Sequence, residues 1–230
     1  MFTRHIGHIV HGRTARQIAT VMTLLTLLVG CGKTEPAPAP TATATPATST
    51  DPPIPIFSQS EQTLGNTRSF GLAIADVDLD NDKDILFSNY IGSSKLWTNN
   101  GDGTFTDSQE FNVSESHDVG IADFNGDGYP DIFILAHASP SKVYFNDGSG
   151  FFTDSQQNIG IGTEYPGMIV LGDVDNDGDI DAFISHYEIS NRLWLNDGNG
   201  FFTKSDREFG DDGNPGHMEL MDFNGDSFPG

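Results

Sequence analysis

Four short acidic segments recur along this chain at a nearly constant interval, and that period limits the fold more than any other feature of the sequence. DVDLDNDKD begins at Asp76, DFNGDGYPD at Asp123, DVDNDGDID at Asp173 and DFNGDSFPG at Asp222, so successive starts lie 47, 50 and 49 residues apart. A second motif keeps step: LWTNNGDGTFTD from Leu96, VYFNDGSGFFTD from Val143 and LWLNDGNGFFTK from Leu193. Each unit reads as β structure. A short apolar or Gly-containing run precedes each acidic segment (FGLAIA, DVGIA, GMIVLG, HMELM), and another follows it (ILFSNY, IFILAH, AFISHY). A third run (KLW, KVYF, RLWL) leads into an Asn/Asp/Gly turn, where positive φ is at home, and a fourth strand begins at FTDSQ and its equivalents. No helical periodicity persists long enough to compete.

Four short antiparallel strands per unit make one propeller blade. The fold class expected is all-β: a partial β-propeller of about three four-stranded blades plus an incomplete fourth. Trp97, Tyr144 and Trp194 share one aligned slot and Phe105, Phe152 and Phe202 another, so these rings are expected in the core between blades. FSQSEQTLG, residues 57–65, aligns with a fourth strand as in FFTDSQQNIG at 151–160. The folded region, 57–230, is therefore expected to be the N-terminal piece of a longer propeller.

The acidic segments have the donor pattern of a hard divalent cation, which takes 6–8 oxygens. Alternate residues of a tight loop can turn carboxylates to one centre. Asp123, Asn125, Asp127 and Asp131 would supply positions one, three, five and nine of the second loop, with the Tyr129 carbonyl at seven. Gly126 and Gly128 would relieve the backbone between them. The first loop offers Asp76, Asp78, Asp80, Asp82 and Asp84, and the third Asp173, Asp175, Asp177, Asp179 and Asp181. The fourth offers Asp222, Asn224 and Asp226, but Gly230 stands at position nine and leaves that set crippled. Without paired Cys or His ligands zinc is disfavoured, and magnesium seldom takes an all-protein oxygen cage, so Ca2+ is expected. An EF-hand does not fit, because position twelve is Phe87, Ile134 or Ile184 instead of Glu and the flanks read as strands.

These residues resemble the FG-GAP/VCBS repeat family, the integrin α-chain type of β-propeller. The family loop D-x-[DN]-x-D-G-x-x-D joins the first two strands of a blade and binds calcium. The resemblance implies ligand roles at Asp123, Asn125, Asp127, Tyr129 and Asp131 and at the matching positions of loops one and three, with a structural role for the ion. Asn81 replaces the loop Gly in the first repeat, a change Asn tolerates because it enters left-handed conformations.

The ends of the chain carry a different message. Arg4, Arg13 and Arg16 precede an apolar run from Ile18 to Val29, too short to span a bilayer and ending in Leu28-Val29-Gly30-Cys31. This resembles the bacterial lipobox, so residues 1–30 are expected to be a lipoprotein signal and Cys31, the sole Cys, the lipidated residue. Residues 31–56 form a Pro/Ala/Thr-rich tether that cannot bury a core. Export to a bacterial membrane surface, outer membrane or cell surface, follows, with membrane contact through lipid only. A net charge of −22 excludes nucleic acid as a partner, since phosphate binding needs Lys and Arg.

Two function classes remain. The first is a calcium-binding surface scaffold for protein or glycan interaction or adhesion, with no catalytic residues. The alternative is a non-catalytic or substrate-binding part of a larger secreted, calcium-dependent, polysaccharide-active enzyme. His117, His137, His186 and His217 are the polar residues open to a grafted site, but none recurs between repeats and no triad or metal-water set emerges from their spacing.

Overall fold

The computed structural model describes residues 60–65, 67–113, 115–137, 139–160, 164–210 and 218–222, all in Phe57–Gly230, one of the chain's two compact units. The expected signal, Cys31, the tether, His217, Asn224 and Asp226 lie outside the described residues. Among the described residues there is no helix, and none long and apolar enough to cross a membrane.

Twelve strands form three antiparallel sheets of four. The first contains β1 (Ser69–Ala75), β2 (Asp84–Asn89), β3 (Ser94–Asn99) and β4 (Phe105–Phe111). The second contains β5 (Ser116–Ala122), β6 (Asp131–Ala136), β7 (Lys142–Asn146) and β8 (Phe152–Asp154). The third contains β9 (Pro166–Gly172), β10 (Asp181–His186), β11 (Asn191–Asn196) and β12 (Phe202–Phe209). Each is a meander in sequence order, as expected of a blade. The acidic loops join first strand to second, with Ala75 paired to Asp84, Ala122 to Asp131 and Gly172 to Asp181. The Asn/Asp/Gly turns join third strand to fourth, closing at Asn99–Phe105, Asn146–Phe152 and Asn196–Phe202. Both kinds of turn therefore lie at one end of every sheet.

The hydrophobic core lies between sheets. One cluster joins Leu86 and Leu96 of the first sheet to Val119, Ile132, Ile134 and Tyr144 of the second. The other joins Phe133, Leu135 and Val143 to Ile169, Ala182, Ile184 and Phe202. Strand β6 is buried along its whole length because its alternate side chains enter different cores, which explains its unbroken apolar run. Rings lock both layers edge to face: Phe111 on Tyr144 at 4.9 Å between centroids, and Phe124 on Phe202 at 5.3 Å.

Neighbouring sheets are also clasped by glutamines. Phe152 donates its backbone N–H to Gln109 Oε1, while Gln109 Nε2 donates back to the Phe152 carbonyl. Gln62 holds Phe105 in the same way, and Gln157 reaches Phe202 N–H and the Gly200 carbonyl. Gln62 thus acts on the first sheet as the fourth strand of one sheet acts on the next.

Two expectations need adjustment. Tyr144, Phe152 and Phe202 are buried, but Trp97 and Phe105 are only half-buried and belong to neither core. They face away from the second sheet, on the side where the described residues place no further sheet. Strand β8 is short because Gln156 has φ 65° and ends it early. The same outer side of the first sheet exposes Leu72 (53 %), whose counterparts Val119 and Ile169 are buried, and Ile74 (59 %), whose counterparts Ile121 and Leu171 are half-buried.

Ile134→Ala, deleting a side chain packed between two sheets, should cost about 2–5 kcal/mol in urea unfolding, whereas Leu72→Ala should cost under about 1 kcal/mol. Equal costs would contradict this placement of the cores.

Candidate metal centres

One hydrogen-bond template shapes all three described loops. The first Asp accepts backbone N–H groups from inside its loop. Asp76 takes those of Asp80 and Asn81, Asp123 those of Gly126 and Gly128, and Asp173 those of Asn176, Asp177 and Gly178. Residues at positions four and six must then be left-handed, and they are: Leu79 and Asn81, Gly126 and Gly128, Asn176 and Gly178. Asn81 behaves as expected of a Gly substitute. Leu79 does not follow from its sequence type, because a branched side chain rarely takes φ 61°.

The ninth Asp has a second task. Asp84, Asp131 and Asp181 are at most 1 % exposed. One oxygen of each accepts the N–H of the loop's second residue: Val77 at 2.8 Å, Phe124 at 3.1 Å and Val174 at 3.0 Å. The other accepts the N–H of the Asn that ends the third strand: Asn99 at 2.9 Å, Asn146 at 2.9 Å and Asn196 at 2.8 Å. These carboxylates pin the cation loop to the neighbouring hairpin while keeping lone pairs free for a ligand role.

The structure brings Asp76, Asp78 and Asp84 together, with an oxygen of each within 4.8 Å of the others, and likewise Asp173, Asp175 and Asp177. In the second loop Asn125 Oδ1 accepts from Asp127 N–H, and Asn125 Nδ2 donates to Asp127 Oδ2 at 2.9 Å. At position seven the side chains turn outward. Asp82 lies against Gly101, Asp179 against Gly198 and the Tyr129 ring against Gly148, each where a Cβ would collide. What position seven can offer the loop is its backbone carbonyl. Asp222 is described, but the rest of the fourth loop is not.

Several of these acids are raised. Burial raises Asp84, Asp131 and Asp181 above the ordinary carboxylate range, Asp131 to about 6, against the opposing pull of their two N–H donors. Burial, then the charges of Asp84 and Asp80, raises Asp78. Burial, then Asp177, raises Asp175 and Asp179. Asp78 Oδ1 is buried with no hydrogen-bond partner, a costly state for a carboxylate oxygen. An all-oxygen donor set with one orphaned buried oxygen fits a hard cation, which would be held by positions one, three, five and nine.

Sequence reasoning missed one group, and of a second it singled out only His117 and His137. Asn99, Asn146 and Asn196 recur at one slot, and that recurrence is the signal that marks them. The other group leaves no such signal. At the end of the sheets opposite the loops, Phe70, Tyr90, His117, His137 and Tyr165 form a row of rings contributed by all three sheets, with successive centroids 5.1, 5.8, 5.8 and 4.1 Å apart. Arg68 lies over Phe70 and Tyr90, and Glu115 pairs with His137 at 2.9 Å. His186 stands apart from the row, buried with Nδ1 unpartnered and Nε2 3.5 Å from Glu164.

A family model described as an FG-GAP-like repeat matches residues 76–134, 123–184 and 173–229. Each match opens on the first Asp of a loop and runs into the following one. No curated protein matches the chain.

Two measurements test this reading. A carboxyl raised in the folded state stabilises fully below its unfolded value near 3.8, and its contribution is lost as pH rises through the folded value. In chelator, the melting temperature should therefore fall between about pH 4 and pH 7; a rise would contradict the burial of these acids. Asp131→Asn puts an amide against two N–H donors and should cost about 2–4 kcal/mol even in chelator, against under about 1 kcal/mol for Asp127→Asn.

Proposed function

The chain belongs to the FG-GAP-like repeat family, and from that premise we propose that it is a calcium-rigidified, non-catalytic interaction scaffold, exported and held at a bacterial surface by lipid on Cys31. The carrying observation is the shared loop template. Three loops keep their first and ninth carboxylates fixed by backbone donors, and the first and third draw three carboxylates together, with Asp78 Oδ1 left without a partner among the described residues. Calcium suits this set because it accepts many oxygens in irregular geometry, whereas magnesium demands a near-ideal octahedron and keeps its water. The ion's task is structural: it neutralises buried acids that backbone N–H groups alone leave raised.

The ring row is the surface that favours a partner. It combines half-exposed aromatic faces with Arg68, Glu115 and imidazoles, an amphipathic mixture of the kind found at recognition sites for proteins or glycans. It lies at the opposite ends of the strands from the cation loops, so an ion would stiffen the surface without entering it.

Calcium at a hundred times its Kd should add roughly 2.7 kcal/mol per independent site, raising the melting temperature and protease resistance of residues 57–230. Asp127→Ala should lower that gain. A calcium response identical to the parent's would remove Asp127 from the site, and no response in either protein would end the calcium reading. Cys31→Ser should shift the protein from the membrane fraction to the soluble one; continued sedimentation with membranes would overturn lipid anchoring.

A further inference from the structure

The second motif has so far had only a turn to make, yet it keeps the same spacing as the cation loops. The Asn that opens the turn explains why. Asn146 donates its backbone N–H to Asp131 of its own sheet's loop, and its side-chain Nδ2 donates at 2.7 Å to the Val77 carbonyl in the preceding sheet's loop. Asn196 repeats this one sheet later, with N–H to Asp181 and Nδ2 at 2.8 Å to the Phe124 carbonyl. Both side chains are buried, at 4 and 5 % exposure. Among the described residues Asn99 has no earlier loop beside it, and its Nδ2 reaches Lys83 of its own sheet.

These bonds join end to end. Asp84 accepts from the Val77 N–H, and the Val77 carbonyl accepts from Asn146. Asn146 N–H donates to Asp131, which also accepts from Phe124 N–H. The Phe124 carbonyl accepts from Asn196, whose N–H donates to Asp181. The line passes through the ninth carboxylate of every described loop. The same turns also touch the preceding loop's third position. A Cβ on Gly150 would lie 3.0 Å from Asp78 Cβ, and one on Gly200 3.6 Å from Asn125 Cβ.

We infer that the three cation sites form one coupled array, with Asn146 and Asn196 as positioning residues that carry the coupling between neighbouring sheets. The inference rests on the calcium reading proposed above. An ion that fixes Asp84 and Asp78 fixes the Val77 peptide and the face of the next turn; Asn146 then holds Asp131 before the second ion arrives. The second ion orders less chain and binds more tightly, and by linkage the effect is mutual. Charge works the other way. Each bound ion weakens the acidic field that attracts the next, which alone would flatten the binding curve. A steep curve therefore runs against the charge effect and in the direction of the structural link.

The test is a calcium titration of the full chain by calorimetry. The parent should bind with a Hill coefficient above one. Asn146→Ala should bring it toward one and weaken uptake about fivefold or more. Asn99→Ala, which removes a bond confined to its own sheet, should weaken binding while the curve stays steep. Should Asn146→Ala fail to fold, Asp177→Ala offers a second route, since it removes the third site away from the bonded line. Loss of that site should weaken the remaining ones about fivefold. Uptake by the parent with a Hill coefficient of one or less, an Asn146→Ala curve as steep as the parent's, or remaining sites unchanged in Asp177→Ala would each overturn the coupling and leave the calcium reading intact. No uptake by the parent would overturn both.

Discussion

Everything in the repeat turns on a carboxylate held between two peptide N–H groups. Asp84, Asp131 and Asp181 each begin a second strand, and each takes one donor from its own loop and one from the neighbouring hairpin. Without that joint the loop would have no fixed entry and the third strand no fixed end. The joint carries an electrostatic cost, because a buried carboxylate with two neutral donors remains raised above its ordinary range. A nearby cation is the simplest counterweight. The same feature therefore fixes the hairpin geometry and leaves each loop with a buried acid raised above its ordinary range.

Much of this was legible in the sequence because the joint needs the same residue types in every repeat. Asp at nine recurs because its carboxylate must accept both N–H groups, and the Asn before the second turn recurs because its Oδ1 accepts an N–H from that turn in every sheet. The four-strand meander followed from apolar runs and turn residues. What the sequence hid was direction. Tyr144 and Trp97 share a slot, yet one is buried and the other half-exposed, since among the described residues the sheet that covers the first has no counterpart over the second. Leu79 was hidden for another reason: the Asp76 hydrogen bonds impose a left-handed backbone on whatever residue stands at position four. Gln156 shortened its strand by a local choice of φ that composition does not report.

The ring row was illegible for the opposite reason. Phe70, His117 and Gly167 occupy one aligned slot, and Tyr90, His137 and Tyr187 another, so repeat alignment reads them as tolerated variation. Folding places side chains from these slots beside each other, and variation between repeats becomes variety across one surface. His117 is held below its usual range by burial and then by the nearby His137, which suits a neutral ring packed among aromatics. Repetition and its failure thus report on different parts of the molecule.

That contrast follows from the geometry of a meander. The acidic loops and the Asn/Asp/Gly turns of a sheet fall at one end of the strands, and the turn from second to third strand falls at the other, with the link to the next sheet. The loop end must satisfy buried acids and close two hairpins, so its residue types repeat from sheet to sheet. At the other end the aligned ring positions differ from repeat to repeat. Substitution at the ring end leaves the donors of the buried acids untouched. The two ends are joined only through the strands between, which is why repeated bonds at one end and varied rings at the other can share a sheet without disturbing each other.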